Sequence, residues 1–166
     1  MKSLQRAACC ILWVTTRIVN LSRSSAINSS ILAVAIGSSA ISSGNNSVAV
    51  GQLSTASGFQ AIALGTNTVS SGDNTTSLGF NLHTPSFAET AVGAYNTTYT
   101  PSSTNGWAGT DRRFTVGNGV SVGTEHDALT ILKNGKTGIG YDNFQTTTAG
   151  DRLQVNGDVL SSNLAG

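Results

Sequence analysis

Residues 119–127 read Gly119-Val120-Ser121-Val122-Gly123-Thr124-Glu125-His126-Asp127. The first five match the G-x-S-x-G pattern, in which a serine nucleophile sits on a sharp strand-to-helix turn. His126 lies close by as a nominal base. The elbow needs a helix after the serine, whereas here the alternation runs on as β. His126 is also too near in sequence for the usual order of such a triad. In a chain rich in Ser and Gly the match arises cheaply, so no nucleophilic role is expected of Ser121. Glu125, His126 and Asp127 are metal-ligand types, but neighbours along a strand point to opposite faces and would not converge. A solvated turn is expected there. Asp111, Arg112 and Arg113 are expected to form a salt-bridge cluster between chains rather than a catalytic group. His83 is expected to be an outward or junction residue near Pro85. Cys9 and Cys10 are adjacent, with no histidine near them, which makes neither a zinc site nor a disulfide framework for the body. There is no phosphate loop and no dinucleotide fingerprint. The expectation is a chain with no catalytic residue, no cofactor and no metal, and not an enzyme.

Composition asks for strands and turns instead. Of 166 residues, 19 are glycine, 10% are charged and 6% aromatic. Small polar residues fill most windows, which suits short strands joined by tight turns. Net charge is +1, so no electrostatic footprint for nucleic acid is expected. Charge is also unevenly placed. Residues 1–23 carry Lys2, Arg6, Arg17 and Arg23 without an acid, residues 24–72 carry no charge, and both signs appear from Asp73 onward. The basic start and the apolar run from Ala7 to Val14 are similar to the opening of a secretion signal, but no clean small-x-small cleavage site follows. A signal and an atypical start both stay open. The run is too short to span a bilayer, which needs about 20 residues. No membrane span is expected within the chain.

The elements that must position any site come from a repeat. Glycine falls at Gly37, Gly51, Gly65, Gly79 and Gly93, a strict step of fourteen. Before each stands an apolar residue: Ile36, Val50, Leu64, Leu78 and Val92. Before those stand Ala35, Ala49, Ala63, Ser77 and Ala91. A second glycine follows seven residues later in the first three units, at Gly44, Gly58 and Gly72. Fourteen residues with a half-way glycine make two short extended legs and two turns. Stacked in parallel, the units would place Ile36, Val50, Leu64, Leu78 and Val92 in one ladder, read as the core, with the glycines at corners where a Cβ would clash. One such coil buries too little to fold alone, and stacked coils share interfaces. Even the stack is thin, and its uncharged, apolar-dotted outer faces suggest several copies packed side by side. A trimer about a three-fold axis is a natural closed solution. The columns 38/52/66/80 and 39/53/67/81 are candidate outer surfaces.

Ser47-Val48-Ala49-Val50-Gly51 and its relatives resemble the head repeats of YadA-like trimeric autotransporter adhesins, over about Ala33 to Asn96. The resemblance implies an all-β, left-handed parallel β-roll of 14-residue coils, three chains wide, projecting from a cell or particle surface toward a host or surface ligand. The left hand comes from the resemblance alone. Residues 107–119 (Trp107-Ala108-Gly109-Thr110-Asp111-Arg112-Arg113 onward), 127–140 and 151–159 resemble linker repeats of bacterial surface proteins and phage tail fibres. They read as β-hairpins, with Asn134-Gly135 as a type I′ turn and Asn156-Gly157 as a second turn. No heptad stalk or barrel strands follow, so the chain is expected to be a fragment or to be anchored by other proteins.

The expected organisation is an N-terminal segment (1–30), signal-like or disordered; a β-roll (31–98); a neck or linker (99–126); and a hairpin-rich, tail-fibre-like segment (127–166). The expected function is a surface-exposed homotrimeric adhesin head that attaches to an extracellular protein or glycan, at the cell surface in association with the outer membrane. The alternative is a phage tail-fibre or tailspike segment, placed on a virion tail, that binds a host receptor. An ice-binding solenoid would need a regular threonine ladder. Column 41/55/69/83 reads Ile, Thr, Val, His and supplies none.

Overall fold

The structure, a computed structural model, describes residues 27–28, 32–142, 144 and 152–158. Cys9, Cys10, the apolar run and the possible signal lie outside the described residues. Among those described there is no helix, and none long and apolar enough to cross a membrane.

Ten short strands form the roll. One leg of each coil is β1 (Ile27–Asn28), β3 (Ile41–Ser42), β5 (Thr55–Ala56), β7 (Val69–Ser70) and β9 (His83–Thr84). The other leg is β2 (Val34–Ile36), β4 (Val48–Val50), β6 (Ile62–Thr66), β8 (Thr76–Phe80) and β10 (Thr90–Ala94). Odd strands pair only with odd strands and even with even, all in parallel, giving a parallel β-solenoid. The register is the step of fourteen: Val34 pairs with Val48, Val48 with Ile62, Ile62 with Thr76 and Thr76 with Thr90. Backbone bonds such as Gly51 N to Ile36 O (2.7 Å) and Leu53 N to Ser38 O (2.9 Å) join coil to coil.

The interior is made of small residues. Ala35, Ala49, Ala63, Ser77 and Ala91 form one buried column, and Ala33, Ser47, Ala61, Thr75 and Glu89 a second. Ala40, Ser54, Thr68 and Leu82 continue a third. Several hydroxyls inside the roll satisfy one another or the backbone, Ser42 with Ser47 (2.6 Å), Ser70 with Ser77 (2.7 Å), and Thr75 to Gly72 O (2.7 Å), while that of Thr68 has no partner. Through most of the roll two legs this close leave room only for Ala, Ser or Thr, and the larger Leu82 and Glu89 enter at its last coil.

The core ladder therefore stands corrected. Ile36, Val50, Leu64, Leu78 and Val92 do line up in register, but on the outward face. Ile36 is 36% exposed, Leu78 is 52% exposed, and the others are half-buried. In a strand the residues flanking an inward alanine must point outward. With the interior too narrow for them, the large apolar residues take the outside.

The roll continues past its fifth coil. β11 (Arg112–Asn118) pairs in parallel with β10, Phe114 against Thr90 and Gly117 against Gly93. Its step is twenty-four residues rather than fourteen, taken up by the strandless segment 95–111. Residues expected as a linker thus add a strand to the same sheet. β12 (Asp127–Leu132) then runs antiparallel to β11, and β13 (Thr137–Ile139) antiparallel to β12. β14 (Leu153–Val155) pairs with β13 in parallel. The hairpin at Asn134-Gly135 is present, but not as a type I′ turn. Gly135 has φ of 84°, and Asn134 is not among the residues with positive φ. Gly135 N donates to Leu132 O (2.9 Å) and Leu132 N to Lys136 O (2.8 Å), the pattern of a three-residue loop closed by one left-handed glycine. The strand that would follow Asn156-Gly157 lies outside the described residues.

Candidate functional site

Two backbone columns shape the roll's surface. Gly37, Gly51, Gly65, Gly79 and Gly93 all take positive φ, and a Cβ on any of them would run into the carbonyl of the next glycine in line, ending at Gly117. Gly44, Gly58 and Gly72 are excluded from carrying a side chain by the carbonyl of the following coil, without positive φ. The left-handed corners fall elsewhere. Leu32, Ser39, Asn46, Leu53, Gln60, Asn67, Asn74, Asn81, Ala88 and Tyr95 take φ of 46–59°, one every seven residues. Sequence reasoning missed these ten corners, because only the Asn members advertise the conformation. Asn67 donates through Nδ2 to Asn81 Oδ1 along this column. In the candidate outer columns Gln52, Leu53, Asn67 and Phe80 are exposed, whereas Asn81 is buried.

The charged residues converge at the C-terminal end of the roll. Arg112 is fully buried, with Nη2 3.1 Å from Asp127 Oδ2, and Nη1 and Nη2 each 2.6 Å from Thr97 O and Oγ1. Its guanidinium lies 4.4 Å from the Tyr99 ring centroid. Thr97 N in turn donates to Asp127 Oδ1 (3.0 Å). Lys133 Nζ reaches Ser86 Oγ (3.1 Å) and lies 3.9 Å from Asp111 Oδ2. The expected cluster between chains is thus an intrachain junction: Arg112 pairs with Asp127 and Asp111 with Lys133, while Arg113 donates to Ala88 O. Buried charges persist only when paired and hydrogen-bonded, and Arg112 draws its partners from β12 (Asp127) and from the strandless segment 95–111 (Thr97).

Glu89 belongs to the same junction. Its Oε2 accepts from Ser86 N (3.0 Å) and from the Tyr99 hydroxyl (3.2 Å), and its Oε1 has no protein partner. Burial pushes this carboxyl up to about 7 against the pull of Ser86 and Arg112. With Glu89 protonated, the two buried cations face two buried carboxylates, so the cluster balances.

The residues flagged for chemistry do not assemble. Ser121 Oγ bonds Thr124 Oγ1 (2.9 Å), whereas His126 Nδ1 bonds Asn118 Oδ1 (2.9 Å) and its Nε2 lies 3.3 Å from Asp142 Oδ1. Glu125 takes Gly123 N (3.0 Å) and Asp127 faces Arg112. Among the described residues no three His, Cys, Asp or Glu side chains are grouped to hold a metal. His83 sits in register with Val69 at the end of its sheet, where Asn96 replaces a further coil: Oδ1 takes His83 N (2.8 Å) and Nδ2 gives to His83 O (2.9 Å). Burial lowers the pKa of its imidazole.

What remains as a functional surface is the outside of a stiff repeat. Residues 29–54 and 56–81 match the family model described as the YadA head domain repeat, in two copies. The roll carries YadA head repeats. No curated protein and no solved structure matches the chain. YadA head repeats on a parallel β-solenoid point to an adhesin-type surface protein, and both are typical of structural adhesins rather than enzymes. Each matched copy spans nearly two coils of the fourteen-residue step.

Proposed function

We propose that the chain is the head of a homotrimeric, surface-exposed adhesin that attaches to host or surface ligands. The observation that carries this is the inverted packing of the YadA head repeats: alanine and serine inside, and the column Ile36, Val50, Leu64, Leu78, Val92 outside. A ladder of branched apolar side chains in water is disfavoured by roughly 25 cal/mol for each Å² left wet. Sister chains packed along it remove that area and stiffen a rod too thin to be stable singly. Three copies also present every outer polar column three times, so weak contacts add by avidity.

Beads coated with the full chain test this on epithelial monolayers, immobilised matrix proteins and bacterial cells. Saturable attachment to monolayers or matrix above uncoated beads is expected. Equal attachment of coated and uncoated beads to all three surfaces would remove the adhesive reading. Attachment to bacterial cells alone would favour the second reading, a phage tail-fibre segment, which the likeness of residues 107–140 to tail-fibre linker repeats supports.

A further inference from the structure

Trp107 is 61% exposed on the strandless segment 95–111. The segment is held firmly. The Asp111 carboxylate takes Ser102 N (2.7 Å) and Ser103 N (3.0 Å), and Gly106 N donates to Ser103 Oγ (2.9 Å). It is docked on the roll by Asp73 N to Thr104 O (2.8 Å) and Phe87 N to Ser103 O (3.1 Å). It is docked on the hairpin turn by Asn134 N to Gly109 O (3.0 Å) and Lys133 N to Asp111 O (2.9 Å). The Lys133 ammonium, its side chain fully buried, lies over the indole 5.9 Å from the ring centroid. One ring face therefore rests over a fixed buried cation, and the exposed remainder of the ring faces water.

Size and charge narrow the occupant. An indole offers about 200 Å², far below the roughly 800 Å² per partner of a stable protein interface. It does match the C–H face of a single sugar ring. A cationic ligand, the usual guest of an aromatic face, is disfavoured by the ammonium already behind the ring. An anionic one finds that ammonium committed to Asp111 and Ser86. Asp111 and Arg112 are buried and paired, so the exposed side chains close by in sequence are neutral hydrogen-bonding groups: Ser102 and Thr110, whose hydroxyls pair (3.2 Å), Thr104, and the Asn105 amide.

We propose that Trp107 is a preorganised stacking platform for a neutral pyranose of a surface glycan, with Ser102, Asn105 and Thr110 bonding its hydroxyls. The inference names a ligand class for the adhesive reading and rests on that reading for its biological role.

The full chain with Trp13→Phe leaves Trp107 as the sole tryptophan. Its fluorescence is titrated with maltohexaose, cellohexaose, chitohexaose and yeast mannan. A saturable blue shift with at least one of these is expected; isothermal titration calorimetry with that saccharide, which needs no tryptophan, is expected to give an affinity at least tenfold weaker in Trp107→Ala and partly kept in Trp107→Phe. No response to any of the four would overturn the platform. So would emission already shielded from iodide in the unliganded protein, because a second copy would then cover the ring. The bead assay separates the two claims: coated beads that attach equally well with Trp107→Ala remove the platform and leave adhesion standing. A saccharide response without attachment does the reverse.

Discussion

At the residue scale the roll rests on backbone geometry more than on side-chain mass. Leu53 occupies a left-handed corner and is exposed, so it has the strain without a buried contact to offset it. Replacing it with asparagine is expected to stabilise the fold by about 1 kcal/mol, read as a higher denaturation midpoint. Gly65→Ala is expected to do the opposite, by about 3 kcal/mol or more, since it meets both a φ of 130° and the carbonyl of Gly79. Glu89 gives a pH signature. Its folded carboxyl titrates at about 7 against an ordinary 4.5, so the folded state holds the extra proton between those values. Stability therefore falls as pH rises from about 4.5 to 7 and levels above, by roughly 3 kcal/mol from this group. Glu89→Gln should remove that slope and be the more stable protein at pH 8, measured by urea denaturation at pH 5 and 8. An unchanged slope would place the titration elsewhere.

At the scale of elements, the step of fourteen was legible because a glycine that must pass under a neighbouring carbonyl tolerates no substitute. What the step could not reveal was which side was inside. Val–Ala–Val alternates in size, not polarity, and the usual rule that large apolar residues go inward fails where two legs lie close together. The sixth coil was legible too, had the phrase been sought off its period. Phe114-Thr115-Val116-Gly117 repeats the pattern, and its register against Thr90–Gly93 shows the roll resuming after an insertion. The charged junction was hidden, because Thr97, Arg112 and Asp127 are brought together only by pairing across that insertion. The β11–β12 ladder contains a further test. Thr115 and Thr130 are opposed in register, buried, and lack partners for both hydroxyls. Thr130→Val keeps the shape and removes one such group, so a gain of about 1 kcal/mol is expected in thermal or urea unfolding. A loss of that size would mean the hydroxyl is satisfied in solution.

At the scale of the whole molecule, small residues inside and branched ones outside leave an apolar ladder on the surface of the roll. The ladder from Ile36 to Val92 runs the length of the roll, so a single charge within it should act on assembly before it acts on the coil. Leu78→Asp, at an exposed position, is expected to lower the assembly state while leaving the β circular-dichroism signal of the separated chains. The most direct measurement is the solution mass of the full chain by light scattering. The account predicts about 51 kDa, three times the 16.9 kDa chain. A folded, monodisperse species of 16.9 kDa would contradict it.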